Sequence, residues 1–215
     1  MNRKKMILLT SLLTLLPMLL GLLLWNRLPE EMPIHFNSHG EVDDWGSKAF
    51  VVFFLPLFLF VMHLITGFIT LHDPKKQNIG DKIFLLILFI IPSVAVVECV
   101  LTYGSAFGIA FSPNMLGNLF LGIIFTIVGN YLPKSRQNYT VGIKLPWTLN
   151  DAENWNKTHR FAGILWTLCG IIILINAFID ITWLPVFIIV TAVLLPTIYS
   201  FLFYVKKAKD IDSNK

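Results

Sequence analysis

The chain has 215 residues, 55% of them apolar and only 14% charged, against roughly 45–50% and about 25% in ordinary soluble domains, so a water-soluble fold is excluded. Its 18 Phe, its mean hydropathy of +0.70 and its repeated long apolar runs make lipid the solvent for most side chains. No loop is long enough to hold a separate soluble catalytic domain, and the net charge of +4 matters less than where it falls.

Taken in chain order, the first predicted span is Met6 to Trp25. It is basic in front, but its apolar stretch exceeds a signal-peptide core and Asn26-Arg27-Leu28-Pro29 offers no small-residue cleavage pattern, so it reads as a retained helix. A loop over 26–48 follows. Pro29 and Pro33 make its first part extended, Asn37 to Gly40 is turn chemistry, and the whole should be ordered. His35, His39, Asp43 and Asp44 are residue types that ligate zinc, at a four-residue period that one helix face would align. Gly40 and the prolines argue against that helix, and the alternative is ordinary hydrogen bonding or solvation.

Spans two and three are Ala49 to Leu71 and Ile83 to Tyr103. Within the third, Glu98 stands out, because an ionised carboxylate in hydrocarbon costs several kcal/mol unless it is paired, hydrated or protonated. It is read either as functional or as one end of an interhelical hydrogen bond, with His63 and Asn118 as candidate partners. The fourth span is Met115 to Leu132. Both cysteines, Cys99 and Cys169, fall inside apolar runs, and no disulfide framework is implied.

The loop over 133–160 is too patterned for a linker. Asn150 and Glu153 have the spacing of a capping box, which predicts a helix starting near Asp151 and lying on the membrane surface before the next span. On it Ala152, Trp155 and His159 share one face, and Glu153 and Lys157 form an i,i+4 pair on another. Trp147 and Trp155 are read as headgroup anchors or as part of a partner-binding surface. Spans five and six are Phe161 to Ile179 and Trp183 to Val205, and the tail from Lys206 to Lys215 should fray.

Among the prolines, Pro17, Pro56, Pro92, Pro185 and Pro196 should kink or end helices, and Trp25, Tyr103, Tyr131, Trp183 and Tyr204 sit where an aromatic belt forms. With the amino terminus in the cytoplasm, 15 of the 17 Lys and Arg fall inside and only Arg27 and Lys48 outside, so both termini are placed in the cytoplasm. The outer face is then acidic and the inner face basic, Lys215 included. The predicted class is an all-α polytopic membrane protein with six helices, one ordered outer loop and one cytoplasmic interfacial helix. No fixed-period repeat is visible, and the two halves show no inverted match.

Two motifs carry a resemblance. The first is Pro33-x-His35-Phe36-Asn37-x-x-Gly40-x-x-Asp43 between two spans. The second is Val141-Gly142-Ile143-Lys144-Leu145-Pro146-Trp147-Thr148-Leu149, then Trp155-x-Lys157-Thr158-His159-Arg160 and an apolar helix. In this order they resemble the SdpI family of bacterial membrane proteins, over most of the chain. One departure is that the family's Arg-Thr before Pro-Trp is Lys144-Leu145 here, and lysine does not reproduce a bidentate anion contact. The resemblance implies a two-span membrane domain over 1–72, a four-span domain over 73–215, and residence in the bacterial cell membrane. It implies immunity to a secreted killing peptide and, in one branch, capture of a cytoplasmic repressor at the inner face.

The resulting expectation is a binding role without chemistry. Pro33, His35, Phe36, Asn37, Gly40 and Asp43 would meet the toxic peptide outside. Gly142, Lys144, Pro146, Trp147, Thr148, Trp155, Thr158, His159 and Arg160 would report to a cytoplasmic partner, with phospholipid as the surroundings and no direct nucleic-acid contact. No cofactor and no metal enter this reading. The alternatives are a small transporter with a polar path through Glu98, His63 and Asn118, and a metal-dependent enzyme built on the His/Asp cluster. The chain has no nucleotide-binding glycine loop, HExxH or GxSxG.

Overall fold

The computed structural model describes residues 2–213, so Lys215 of the inner charge set lies outside them. Eight helices and one hairpin follow in order among the described residues: α1 Arg3–Leu13, α2 Leu16–Leu23, β1 Glu31–Phe36, β2 Val42–Ser47, α3 Leu55–Leu71, α4 Asp81–Ala106, α5 Pro113–Tyr131, α6 Pro146–Asn150, α7 Ala152–Ile179 and α8 Leu184–Ser213. Six stretches are long and apolar enough to cross a membrane, as expected: Arg3–Leu23, Phe50–Leu71, Asp81–Ala106, Pro113–Lys134, Ala152–Ile179 and Leu184–Asp210. Their outward side chains are apolar and exposed, Leu23, Phe68, Phe178 and Val186 among them, which only a lipid solvent tolerates on this scale.

The prolines act locally. Pro17 sits in the first turn of α2, and the first span breaks just before it, at Thr14 and Leu15. There the Thr14 hydroxyl donates to Ser11 O at 2.6 Å and that of Ser11 to Ile7 O at 2.7 Å, taking up carbonyls in the broken helix. Ahead of Pro56 the chain makes a π turn over Phe50–Phe54, closed by the Leu55 amide on Phe50 O. Pro196 has no N–H for the carbonyl of Ala192 four residues back, and the indole of Trp166 supplies the missing donor at 2.9 Å.

The chain divides into two units. One holds the chain up to Leu71 together with Phe84–Gly117. Its core gathers Leu28, Met32, Val51, Val52, Cys99 and Tyr103 beneath the hairpin. Tyr103, expected in the aromatic belt, is instead buried and donates to Pro17 O at 3.0 Å, because Gly21 lets the first span approach within reach of its hydroxyl.

The other unit holds His72–Ile83 and the chain from Asn118 onward. In it α5 and α7 meet through the same pattern read in opposite directions, Gly122-x-x-x-Thr126-x-x-Gly129 against Gly163-x-x-x-Thr167-x-x-Gly170. A Cβ on Gly170 would lie 2.5 Å from Thr126 N and 2.7 Å from Gly122 O, so only glycine permits the contact. Beside this seam Cys169, Ile173, Ile188 and Ala192 pack, with Phe125 stacked on Trp166 at 5.1 Å. Both cysteines are free and buried.

Three expectations are corrected here. The predicted surface helix is not a separate element: α7 runs without interruption from Ala152 to Ile179, because nothing in Thr158-His159-Arg160-Phe161 breaks a helix. Its N-cap is Asp151 rather than Asn150, with the carboxylate accepting from Glu153 N at 2.9 Å and Asn154 N at 3.3 Å. The tail does not fray after Val205 but continues α8 to Ser213.

Candidate functional site

The 26–48 loop is ordered as an antiparallel hairpin, Glu31 facing Ser47, Met32 facing Gly46 and Pro33 facing Trp45. Its turn explains the first motif. Asn37 Oδ1 accepts from His39 N at 2.8 Å and Glu41 N at 3.0 Å, and the Asn37 amide closes on Glu41 O at 2.8 Å. Gly40 carries a φ of 78°, where glycine is favoured. The hairpin tip is also tied to the first turn of α5, since Asn114 Nδ2 donates to Ser38 O at 3.1 Å. Pro33 is buried and Phe36 half-buried, so these two motif residues seat the hairpin.

His35 Nδ1 meets Asp43 Oδ1 at 2.5 Å across the strands, both side chains exposed. The helical alignment of His35, His39, Asp43 and Asp44 is not formed, because the segment is a hairpin, and no group of three or more potential metal ligands assembles among the described residues. Lys48 is buried instead of bathing in solvent. Its ammonium donates to Glu30 Oε1 at 2.8 Å, Trp25 O at 3.3 Å and Leu28 O at 3.4 Å, and lies 4.7 Å over the Trp25 ring.

The second motif is largely a lock. The His159 Nε2 accepts from Ile143 N at 2.9 Å and its Nδ1 faces Trp155 O at 2.7 Å, which makes Nδ1 the protonated nitrogen of a neutral ring. That ring stacks on Trp155 at 4.0 Å, and the buried Trp155 indole donates to Ser135 O at 2.8 Å. Gly142 has a φ of 121°, and a Cβ there would run into His159 Nε2. Thr148 accepts from Leu145 N at 2.9 Å and donates to Ile143 O at 2.7 Å, which shapes the turn before α6, with Pro146 in its first turn. Trp147 donates to Ser200 Oγ at 3.0 Å and packs on Phe201 and Tyr204. Thr158 donates to Asn154 Oδ1 at 2.9 Å, and Asn154 in turn to Ser200 O at 3.0 Å.

Trp155 is thus no headgroup anchor, and Thr158 and His159 are buried. Of the second motif, Lys144, Pro146, Lys157 and Arg160 are exposed. The predicted Glu153–Lys157 pair is present at 2.9 Å. Lys207 joins it, 2.7 Å from Asp151 and 3.2 Å from Glu153. Burial works to raise the Asp151 carboxyl, but Lys207 and the two helix amides outweigh it and hold the group below its ordinary range.

Of the intramembrane polar residues, His63 bonds within the first unit. Thr10 gives its hydroxyl proton to Met6 O at 2.8 Å, so His63 Nε2, 2.9 Å from the same oxygen, is the donor there. The Nδ1 of His63 and one oxygen of Glu98 have no hydrogen-bond partner among the described residues. Asn118 faces Asn176 at 3.5 Å.

Several residues of the lock went unread in the sequence. Asp73 accepts from Lys75 N, Tyr139 N and the Thr140 hydroxyl, the last at 2.5 Å. Gln137 donates to Thr148 O and Leu149 O, and Asn138 accepts from Thr140 N and Val141 N. Their signal was present: uncharged amides and a lone acid in short polar stretches between spans usually satisfy backbone groups.

These features define a six-span membrane protein with an ordered hairpin after its first span and a polar lock leading into its fifth. Residues 134–200 match the SdpI/YfhL protein family, and residues 12–60 match a domain of unknown function, DUF1648. Over 198 residues, 89% of this chain and 92% of the relative, the sequence is 25% identical to the immunity protein SdpI of Bacillus subtilis (strain 168). No solved structure matches. The resemblance to the SdpI family is borne out on the stretches that carry the two motifs, and the chain is a multi-pass cell-membrane protein.

Proposed function

We propose that the protein is an immunity protein of the bacterial cell membrane, with both termini in the cytoplasm and the hairpin outside, where it engages a secreted toxic peptide. The observation that carries this reading is the hairpin itself. It is ordered by Asn37, Gly40 and Asn114, so it presents Glu41, Asp43, Asp44 and Trp45 to solvent on a fixed frame instead of a slack tether. The immunity protein SdpI, similar along nearly the whole chain, supports the same function. On the opposite face, Lys144, Pro146 and Arg160 offer exposed groups to a cytoplasmic partner such as a repressor, while Trp155, Thr158 and His159 hold them in place.

Cells lacking the protein, challenged with a panel of secreted peptides, test this reading. The parent chain should restore growth against at least one peptide, and Asp43→Asn with Asp44→Asn should lose most of that protection at an unaltered membrane level. Full protection by the double variant would overturn the assignment of the hairpin.

A second reading rests on the unpartnered atoms of Glu98 and His63, which suit a polar path through the first unit. Proteoliposome flux that vanishes in Glu98→Gln would favour it.

A further inference from the structure

Below the hairpin, the exposed surface continues into the membrane as a ladder of rings. Trp45 stands exposed on β2 next to Asp43 and Asp44. One residue on, Gly46 lies so close to the start of the second span that an added Cβ would meet Phe50 Cδ1 at 3.3 Å. From Phe50 the rings descend at a spacing of four: Phe50 stacks on Phe54 at 4.9 Å with planes 17° apart, and Phe54 on Phe58 at 6.1 Å with planes 12° apart. All three are exposed, Phe54 and Phe58 by about half. The first pair spans the π turn over Phe50–Phe54, and the second continues into α3.

Lipid tails require only that this surface be apolar, which leucine would satisfy. Stacked rings at the foot of an acidic hairpin offer more: negative ring faces and carboxylates together attract a cation, and the rings below accept apolar side chains. Lys48 is buried and held by Glu30 and two carbonyls rather than by these acids, of which Asp43 meets His35 Nδ1 across the strands. A soluble cation would have no use for the ladder, and a neutral lipid none for the acids.

We infer that the hairpin and the ladder form one docking surface for a cationic, membrane-inserting peptide, with its charged end on Glu41, Asp43 and Asp44 and its apolar segment along Trp45, Phe50, Phe54 and Phe58. This rests on the immunity reading and names the recognition chemistry of that site. Opposite charge steers the encounter, and burial of the apolar segment against the rings sets the residence time.

The test uses the full chain in nanodiscs of zwitterionic lipid and a fluorescent synthetic peptide, four lysines followed by sixteen alternating leucines and alanines, with a control in which glutamates replace the lysines. The lysine peptide should bind loaded nanodiscs at least tenfold more tightly than empty ones. Phe54→Leu with Phe58→Leu, which stays apolar, should weaken it at least fivefold, whereas Phe187→Leu, at an exposed phenylalanine of α8, should leave it unaltered. Equal binding by the glutamate peptide, parent-like affinity of the Phe54/Phe58 variant, or equal weakening by Phe187→Leu would overturn the inference. The growth assay with Asp43→Asn and Asp44→Asn reports on the immunity reading separately: protection lost there with a parent-like Phe54/Phe58 variant here removes the ladder and keeps the function.

Discussion

Gly142 shows how a motif residue works by what it lacks. Its φ of 121° is hostile to any side chain, and the place of a Cβ is occupied by the His159 ring and the Trp155 edge. Gly142→Ala therefore combines backbone strain with overpacking, together about 3 kcal/mol. A melting temperature in detergent lower by roughly 10 °C is expected for a chain of this size. Asp151 makes the complementary argument in charge. Its folded-state pKa lies below the unfolded one, so its contribution is full above the ordinary carboxylate range and is lost as pH falls through the depressed value. Stability should be indifferent to this group from pH 8 to 5. Below about pH 4 the parent should lose stability more steeply than Asp151→Asn, which keeps the cap but has no charge to lose. Thermal unfolding of both across that range checks it.

Among the elements, the hairpin depends most on one side chain. Asn37→Ala removes the acceptor for two turn amides, and a loss of about 1.4 kcal/mol would make hydrogen exchange of the hairpin amides about tenfold faster. Ser38→Ala, whose neighbours bond through its carbonyl, should exchange like the parent. Turn chemistry at Asn37 to Gly40 was legible because asparagine and glycine have specific backbone uses, whereas the strands were not, since Val42-Asp-Asp-Trp-Gly-Ser47 lacks an alternating apolar pattern. The pairing follows from the turn and from Met32 beneath it, fully buried in the core of the first unit. In the same way the period of Trp155 and His159 put them on one face, and they do stack. What lay on that face was invisible: Ser135 and Ile143 are far enough away in sequence that only folding brings their backbone groups to the two rings.

At the scale of the whole molecule, charge sets the proposed orientation. Single cysteines at Ser38 and Asn156, both exposed, should give opposite results with an impermeant thiol reagent on intact cells, the first labelled and the second protected until lysis. The native Cys99 and Cys169 are buried and should contribute little background. Reversed labelling would invert the hairpin and the partner surface together.

Six membrane spans and the cationic bias of one side were determined by the sequence itself, because burying apolar surface in lipid and avoiding the transfer of lysine depend on composition along the chain. The two motifs were legible for the same local reason, each being a short run with its own backbone demands. Which motif residues face outward was decided only by the tertiary structure. Trp155, Thr158 and His159 read as surface groups and proved to be interior ones, because buried polar atoms must find partners and theirs lie on other segments. The glycine seam of α5 and α7 likewise exists only once the two helices are set side by side.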